Sequence, residues 1–347
     1  MIKQLCWLIG IAMWCVPVFG VQLKPDLPER YVVVAGDTLW DIAGKYMYDP
    51  WYWPEIWYVN QQINNPHLIY PGDLLTFSYD ADGKPRVSIE QRAGAGVANG
   101  VKLLPHARIE AIQQAIPTIP IDAIKQLLVY PMVLGKNELE KSPYVLSSRD
   151  ERLISGAAEK VYGRSPQQIW EAQRYRVYRS GQVYYNPGSR EVLGYEAIYV
   201  GDAEVERPGD PALLYLTQTN REVRAGDRLV PMLDADNMDM HFLPHSPVNL
   251  VKGQIIAVYD GVQRIGQYQV VVMNLGLREG INRGHVLAVY QQGRKVRDQF
   301  IKARSRIDLP EERAGILMVF RVFERVSYAL VMTAFTDMKV LDHVRNP

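Results

Sequence analysis

Residues 31–46 read Tyr-Val-Val-Val-Ala-Gly-Asp-Thr-Leu-Trp-Asp-Ile-Ala-Gly-Lys-Tyr, and the chain comes back through Trp53-Pro54-Glu55-Ile56-Trp57 and Leu68-Ile69-Tyr70-Pro71-Gly72-Asp73-Leu74-Leu75-Thr76-Phe77. Tyr31–Val34 is a β-branched run suited to a strand. Gly36-Asp37 turns the chain, and Thr38 stands where its hydroxyl caps a helix, with Asp41 at capping-box spacing. Leu39, Ile42, Ala43 and Tyr46 fall at i, i+3, i+4 and i+7, one helical face. Pro54 suits the first position of a second helix carrying Ile56, Trp57 and Val59. Pro71-Gly72 supplies the central pair of a type II turn, and Leu74–Phe77 returns as a second strand. Residues 30–78 thus read strand, helix, helix, strand.

This stretch resembles the LysM domain, the small βααβ module that holds polymers containing N-acetylglucosamine. The resemblance implies a shallow groove between the first strand–helix turn and the second helix–strand turn. Those turns map onto Gly36, Asp37, Thr38 and Leu39, and onto Leu68, Ile69, Tyr70, Pro71 and Gly72. Backbone groups in two facing turns can bond an N-acetyl amide, and a small apolar floor accepts its methyl group. Structural roles coexist with these: Gly36 supplies a turn conformation, Thr38 caps, and Leu39 and Ile69 fill a core. The loop Tyr48-Asp49-Pro50-Trp51-Tyr52-Trp53 departs from the shortest pattern and resembles an enlarged LysM variant of envelope and phage-tail proteins. Trp51, Trp53 and Trp57 either stack on sugar rings or pack the small core, the commoner fate of such residues.

The chain begins Met1-Ile2-Lys3, continues as a mostly apolar run from Leu5 to Val16, and reaches Val18-Phe19-Gly20. A run this short reads as a secretory signal over residues 1–20 cleaved after Gly20, with an uncleaved anchor as the alternative. Both cysteines, Cys6 and Cys15, fall inside it. The expected mature protein therefore has no thiol for a disulfide, a cysteine-ligated zinc or a thiolate nucleophile. Lys and Arg number 39 against 38 Asp and Glu. That balance speaks against nucleic acid as the main partner. No later apolar run is long enough to span a membrane, so the expected location is the periplasm, peripheral to the wall or outer membrane.

Beyond the first module, residues 79–105 are rich in Gly, Ala, Asp and Pro and read as a linker. Gly94-Ala95-Gly96-Val97-Ala98-Asn99 fails as a dinucleotide fingerprint, because its third glycine arrives one residue late. Residues 106–143 read as a helical connector, with Ile109, Ile112 and Ile116 on one face. From Tyr144 onward short alternating strands punctuated by Gly and Pro predict sandwich or barrel modules, one over 144–235 and one over 240–347. Ser180-Gly181 is expected to close a hairpin. An internal repeat supports two modules: Leu214–Thr217 through Arg221–Asp227 to Pro231 parallels Ala329–Met332 through Asp337–Asp342 to Pro347. The fold class expected for the whole is α+β.

Little in the chain suggests catalysis, and no cofactor or metal is expected. His241 and His245 flank Phe242-Leu243-Pro244, and the proline disfavours a helical metal-binding pair. No Gly-x-Ser-x-Gly elbow occurs. Paired carboxylates for glycoside cleavage leave no fixed spacing to find. The segment Asn274–Tyr290 resembles the glycine-punctuated strand pairs of the flagellar outer-ring C-terminal domain. With the signal and LysM segments, the layout is similar to the type IV pilus secretin-associated family. That resemblance implies an adaptor between peptidoglycan and an outer-membrane secretin ring. A wall hydrolase or its activator, and a stand-alone glycan-binding envelope protein, are the alternative readings.

Overall fold

The computed structural model describes residues 23–25, 29–57, 69–79, 85–90, 116–120, 132–167, 169–232, 243–259, 264–293, 295–297 and 306–347. The expected signal segment, Leu68 and His241 lie outside them, as does most of the expected helical connector. The chain divides into two compact units, residues 1–35 with 40–113, and residues 36–39 with 114–347.

In the first unit, β1 (Arg30–Val32), β2 (Leu74–Tyr79) and β3 (Pro85–Glu90) form an antiparallel sheet in the order β1-β2-β3. β3 lies in the stretch read as linker and pairs along its whole length with β2, from Leu74↔Glu90 to Tyr79↔Pro85. Val87, 1% exposed, supplies the reason: it adds an inward apolar side chain to the sheet. Helix α1 (Leu39–Tyr46) turns Ile42, Ala43 and Tyr46 into the core, as its periodicity requires. The Tyr46 ring stacks on Phe77 at 3.5 Å between centroids. Burial, and then the neighbouring Tyr31, pushes the Tyr46 phenol up to about 12, so it stays neutral. Helix α2 (Trp53–Trp57) follows a short 3-10 turn at Pro50–Tyr52. Trp51 and Trp53 are buried, so they pack the core and offer no ring to a sugar.

The expected α+β class is corrected by this structure: the described chain is mainly β. Its α-helices are α1, α2 and α3 (Lys136–Lys141), of eight, five and six residues. The helix signals are real but brief, since Pro50 and Ser142–Pro143 stop them within one or two turns. Ile116–Pro120, within the expected connector, carries no helix. The βααβ description of the first module likewise gives way to a three-stranded sheet bearing two short helices.

The second unit holds two barrels. β5 (Tyr144–Ser148), β6 (Lys160–Arg164), β7 (Arg174–Tyr185), β8 (Val192–Arg207), β9 (Ala212–Thr219) and β10 (Arg228–Pro231) run β8-β7-β10-β5-β6-β9, and a β8–β9 pairing closes the ring. β4 (Met132–Leu134) is added outside it on β8. The second barrel contains β11 (Lys252–Val258), β13 (Val270–Met273), β14 (Val286–Gln291), β17 (Glu312–Val322), β18 (Ser327–Ala334) and β20 (His343–Arg345). It closes in the order β11-β13-β18-β17-β14-β20. Between these strands, β12 (Arg264–Ile265) pairs β19 (Met338–Lys339), and β15 (Lys295–Arg297) pairs β16 (Arg306–Asp308).

The two rings have one topology. Matching β5 to β11, β6 to β13, β7 to β14, β8 to β17, β9 to β18 and β10 to β20 reproduces every pairing. Details agree as well. A Cβ on Gly201 would stand 2.3 Å from the Gln218 carbonyl, and one on the corresponding Gly315 would stand 2.5 Å from that of Thr333. Arg179 donates to the Glu222 carbonyl, and Gln291 in the same place donates to that of Asp337. The repeat seen faintly in sequence is thus a repeat of whole barrels. Their cores are filled by Val145, Val177, Leu214 and Leu229 in the first and Ile255, Val289, Ala329 and Val344 in the second.

One turn geometry recurs through both units. It spans four residues, the third with positive φ. The side chain of the fourth accepts the N–H of the first, and a neighbouring strand residue exchanges two backbone bonds with the third and fourth. It occurs at Tyr70–Asp73, Gly156–Glu159, Arg224–Asp227, Gly266–Gln269, Asn282–His285 and Lys339–Asp342. The strand partners are Val33, Leu216, Val145, Val331, Val319 and Ile255. The third residue is Gly72, Ala158, Gly226, Tyr268, Gly284 or Leu341, with φ between 63° and 93°.

Ser180-Gly181 does not close a hairpin, contrary to expectation. β7 runs through it with a register shift against β8 between Ser180 and Val183, and the chain turns at residues 186–191. Glycine fits this bulge because a Cβ on Gly181 would lie 2.6 Å from the Glu196 carboxylate.

Two outcomes follow. A left-handed conformation costs a side-chain-bearing residue about 1–2 kcal/mol, whereas glycine costs an extra 0.5–1 kcal/mol of entropy. Gly226→Ala, with open space around its Cβ and φ of +90°, therefore loses about 1 kcal/mol in denaturant unfolding. Leu341→Gly, at φ of +77° and 46% exposed, gains up to about 1 kcal/mol. The second outcome concerns His285, which replaces the usual carboxylate. Burial, and then His245, pushes its pKa down to about 4 from 6.5. Below pH 6.5 the unfolded chain takes up a proton that the folded chain refuses until about pH 4. Stability hence falls as pH drops through that window, by at most about 3 kcal/mol. His285→Asp, which keeps the acceptor, should flatten melts measured between pH 7 and 4.5; an unchanged slope would refute the assignment.

Candidate functional site

The two expected groove turns are built differently. In the first, Gly36 takes φ of +96° with open space where a Cβ would sit, so it is needed for its backbone alone. Gly36 is exposed and Asp37 half-buried, whereas Thr38 and Leu39 are 4% and 3% exposed. The Leu39 N–H, at the start of α1, donates to the Pro117 carbonyl at 3.0 Å.

The second turn is the first of the recurring turns. Asp73 accepts the Tyr70 N–H at 2.8 Å, and Gly72 donates to Val33 at 2.7 Å. Val33 in return donates to Asp73 at 2.9 Å, which fixes the turn to the strand end after β1. Ile69 is 1% exposed and belongs to the interior. Tyr70, Pro71 and Gly72 are half-buried and form the accessible part of the turn. Each turn keeps part of itself accessible, Gly36 and Asp37 in the first and Tyr70–Gly72 in the second. Leu39 and Ile69 support them from within. Asp73 was not among the expected residues, yet its carboxylate holds the turn. The Gly-Asp pair shared by 72–73 and 226–227 is a signal that could have marked it.

Elsewhere the second unit brings polar groups together without a catalytic arrangement. The His245 and His285 rings meet edge-on at 4.6 Å. Each has a ring nitrogen engaged, Nδ1 of His245 with the Leu243 carbonyl and Nδ1 of His285 with the Asn282 N–H. A cleft of about 450 Å³ gathers Arg264, Glu312, Asp337, Lys339 and Asp342 at the foot of the β15–β16 ribbon. Burial raises the Asp342 carboxyl, opposed by the Lys339 and Gln292 N–H groups that it accepts. Among the described residues no three His, Cys, Asp or Glu side chains are grouped to hold a metal ion. Nor is any described helix long and apolar enough to cross a membrane.

Comparison with known proteins agrees with the first module. A family model described as "LysM domain" matches residues 31–78. Over 58 residues the chain is 43% identical to the uncharacterized protein YqbP of Bacillus subtilis (strain 168), a match covering 14% of this chain and 26% of that protein. The chain thus spans about a quarter of the length of that curated relative. With turns, helices and the β1–β2 pair set where that model falls, residues 31–78 are a LysM domain, a binding module for N-acetylglucosamine-containing glycans and not a catalytic one.

Proposed function

We propose that this chain is an exported adaptor that holds peptidoglycan through its LysM domain and docks an outer-membrane secretin or similar ring through its paired barrels. The observation that carries the glycan half is the LysM match at residues 31–78, together with the braced turn at Tyr70–Asp73. Support for the docking half comes from the duplicated barrels, which carry surface arms and exposed apolar side chains such as Val296 and Ile307. Export, a periplasmic location and the ring partner follow the sequence resemblance to secretin-associated proteins.

The recognition chemistry is modest. Tyr70 and Asp37 are half-buried residues of the two turns, each next in sequence to the accessible backbone of its own turn. Such a surface bonds the hydroxyl and acetamido groups of a sugar and stacks one of its faces. A single shallow site binds weakly, and repetition around a ring would raise retention through effective concentration.

The test is co-sedimentation of the full chain with purified sacculi. Wild type should pellet, and Tyr70→Ala should reduce binding about tenfold without lowering the melting temperature. Asp73→Ala should reduce binding and also cost about 1–2 kcal/mol of stability, because it strands the Tyr70 N–H. Failure of the folded wild type to pellet would refute the glycan reading, and clearing of sacculi in a zymogram would replace it with hydrolysis. In cells, a chain lacking residues 31–78 should keep its ring partner while losing the wall.

A further inference from the structure

The two barrels treat one corresponding element differently. In the first, the β7–β8 hairpin continues past the barrel wall, from Arg179↔Ile198 out to Tyr185↔Val192. This extension is seated on the second barrel. Tyr184, 2% exposed, meets the Tyr328 hydroxyl at 3.4 Å. Asn186 accepts from Asn274 at 3.3 Å. Glu191 binds Arg325 at 3.0 Å and Arg278 at 3.3 Å, and Arg325 also donates to the Val192 carbonyl at 3.2 Å. The seat consists of the end of β13, the short turn after it, and the β17–β18 turn.

In the second barrel, Gln291↔Glu312 is the pair that corresponds to Arg179↔Ile198. Beyond it the same hairpin continues as the β15–β16 ribbon. The register sets Val296 opposite Ile307, and both are 46% exposed, with Leu309 beside them at 41%. The place held by buried Tyr184 on the first arm is thus held by an uncovered apolar pair on the second. Two uncovered strands with outward apolar residues are what a docking arm looks like before it docks.

We propose that the β15–β16 arm seats on the first barrel of a second copy of this chain, repeating between molecules the contact that joins the two barrels within one. The surface on the first barrel that corresponds to the occupied seat is the end of β6 at Arg164 and the β8–β9 turn at residues 207–211. Residues 206–211 are exposed. Within the chain an acidic arm, Glu191, meets a basic seat, Arg278 and Arg325. By sequence the second arm is mixed in charge, with Lys295, Arg297 and Arg306 against Asp308. The corresponding seat is mixed as well, with Glu206, Asp210 and exposed Glu171 beside Arg164 and exposed Arg207. Glu206 and Asp210 each hold one cation of their own barrel, Lys160 and Arg164, and keep 45% and 29% of their side chains exposed. The contact is head-to-tail: one arm and one seat per molecule, so it propagates and closes into a ring only where the rotation per copy permits.

Sedimentation velocity on the full chain tests this without any glycan. Wild type should associate with rising concentration. Val296→Asp with Ile307→Asp changes only exposed side chains and should weaken association at least about tenfold, as should Glu206→Lys with Asp210→Lys. Mixing the arm variant with the seat variant should give 1:1 dimers and nothing larger, because one intact arm then meets one intact seat. Wild type that stays monomeric at high micromolar concentration would overturn the proposal. So would a folded arm variant that associates like wild type, or a mixture of the two variants, each with a wild-type melt, that forms no dimer. Flotation of a monomeric chain with phosphatidylglycerol vesicles, abolished by the arm substitutions, would assign the arm to lipid and also overturn it.

Discussion

A single backbone problem recurs through this molecule: how a chain leaves one strand, turns within four residues and enters another without stranding its polar groups. The solution is the turn in which the fourth side chain accepts the first N–H while a strand residue satisfies the third and fourth. A buried unpaired N–H costs a few kcal/mol, which a short polar side chain at the right place avoids. Asp, Glu, Gln and His all serve as that acceptor here, so the requirement is for geometry and not for charge. Where glycine holds the third position the turn is nearly strain-free. Where Ala158, Tyr268 or Leu341 holds it, the surrounding barrel over-determines the conformation.

The same economy explains what could be read in advance. The LysM segment was legible because its information is local: Pro71-Gly72 specifies a turn, and Leu39, Ile42 and Tyr46 specify a face. The pairing of repeats was visible at Asp227 and Asp342, since the turn leaves a short signature. Barrel closure was not visible. It rests on β8–β9 and β11–β20, whose partners are recognised only once the sheet has curled. The α+β expectation overweighted helix caps and periodicity, which mark where a helix starts better than how soon it stops. Of the expected groove, Pro71-Gly72 was legible as a turn. The core role expected for Leu39 and Ile69 agrees with their burial, whereas the Asp73 brace was not legible, because its strand partner Val33 is distant in sequence.

The chain also separates two kinds of recognition. The LysM domain offers a small polar surface with a few backbone groups, suited to a repeating ligand held weakly at many points. Under the proposed function the barrels, with their arms and exposed aliphatic side chains, would meet protein surfaces that fit once and hold. With balanced overall charge, neither depends on a broad electrostatic field.

The uninterrupted passage of β8 has a mechanical consequence. Its sixteen residues, about 50 Å of contour, bond to β7, β9 and β4 in turn, and its outer end belongs to the arm that grips the second barrel. A pull on that arm along the strand loads many ladder bonds side by side and slides them together, instead of peeling them one after another. The joint between the barrels is therefore stiffer along β8 than across it.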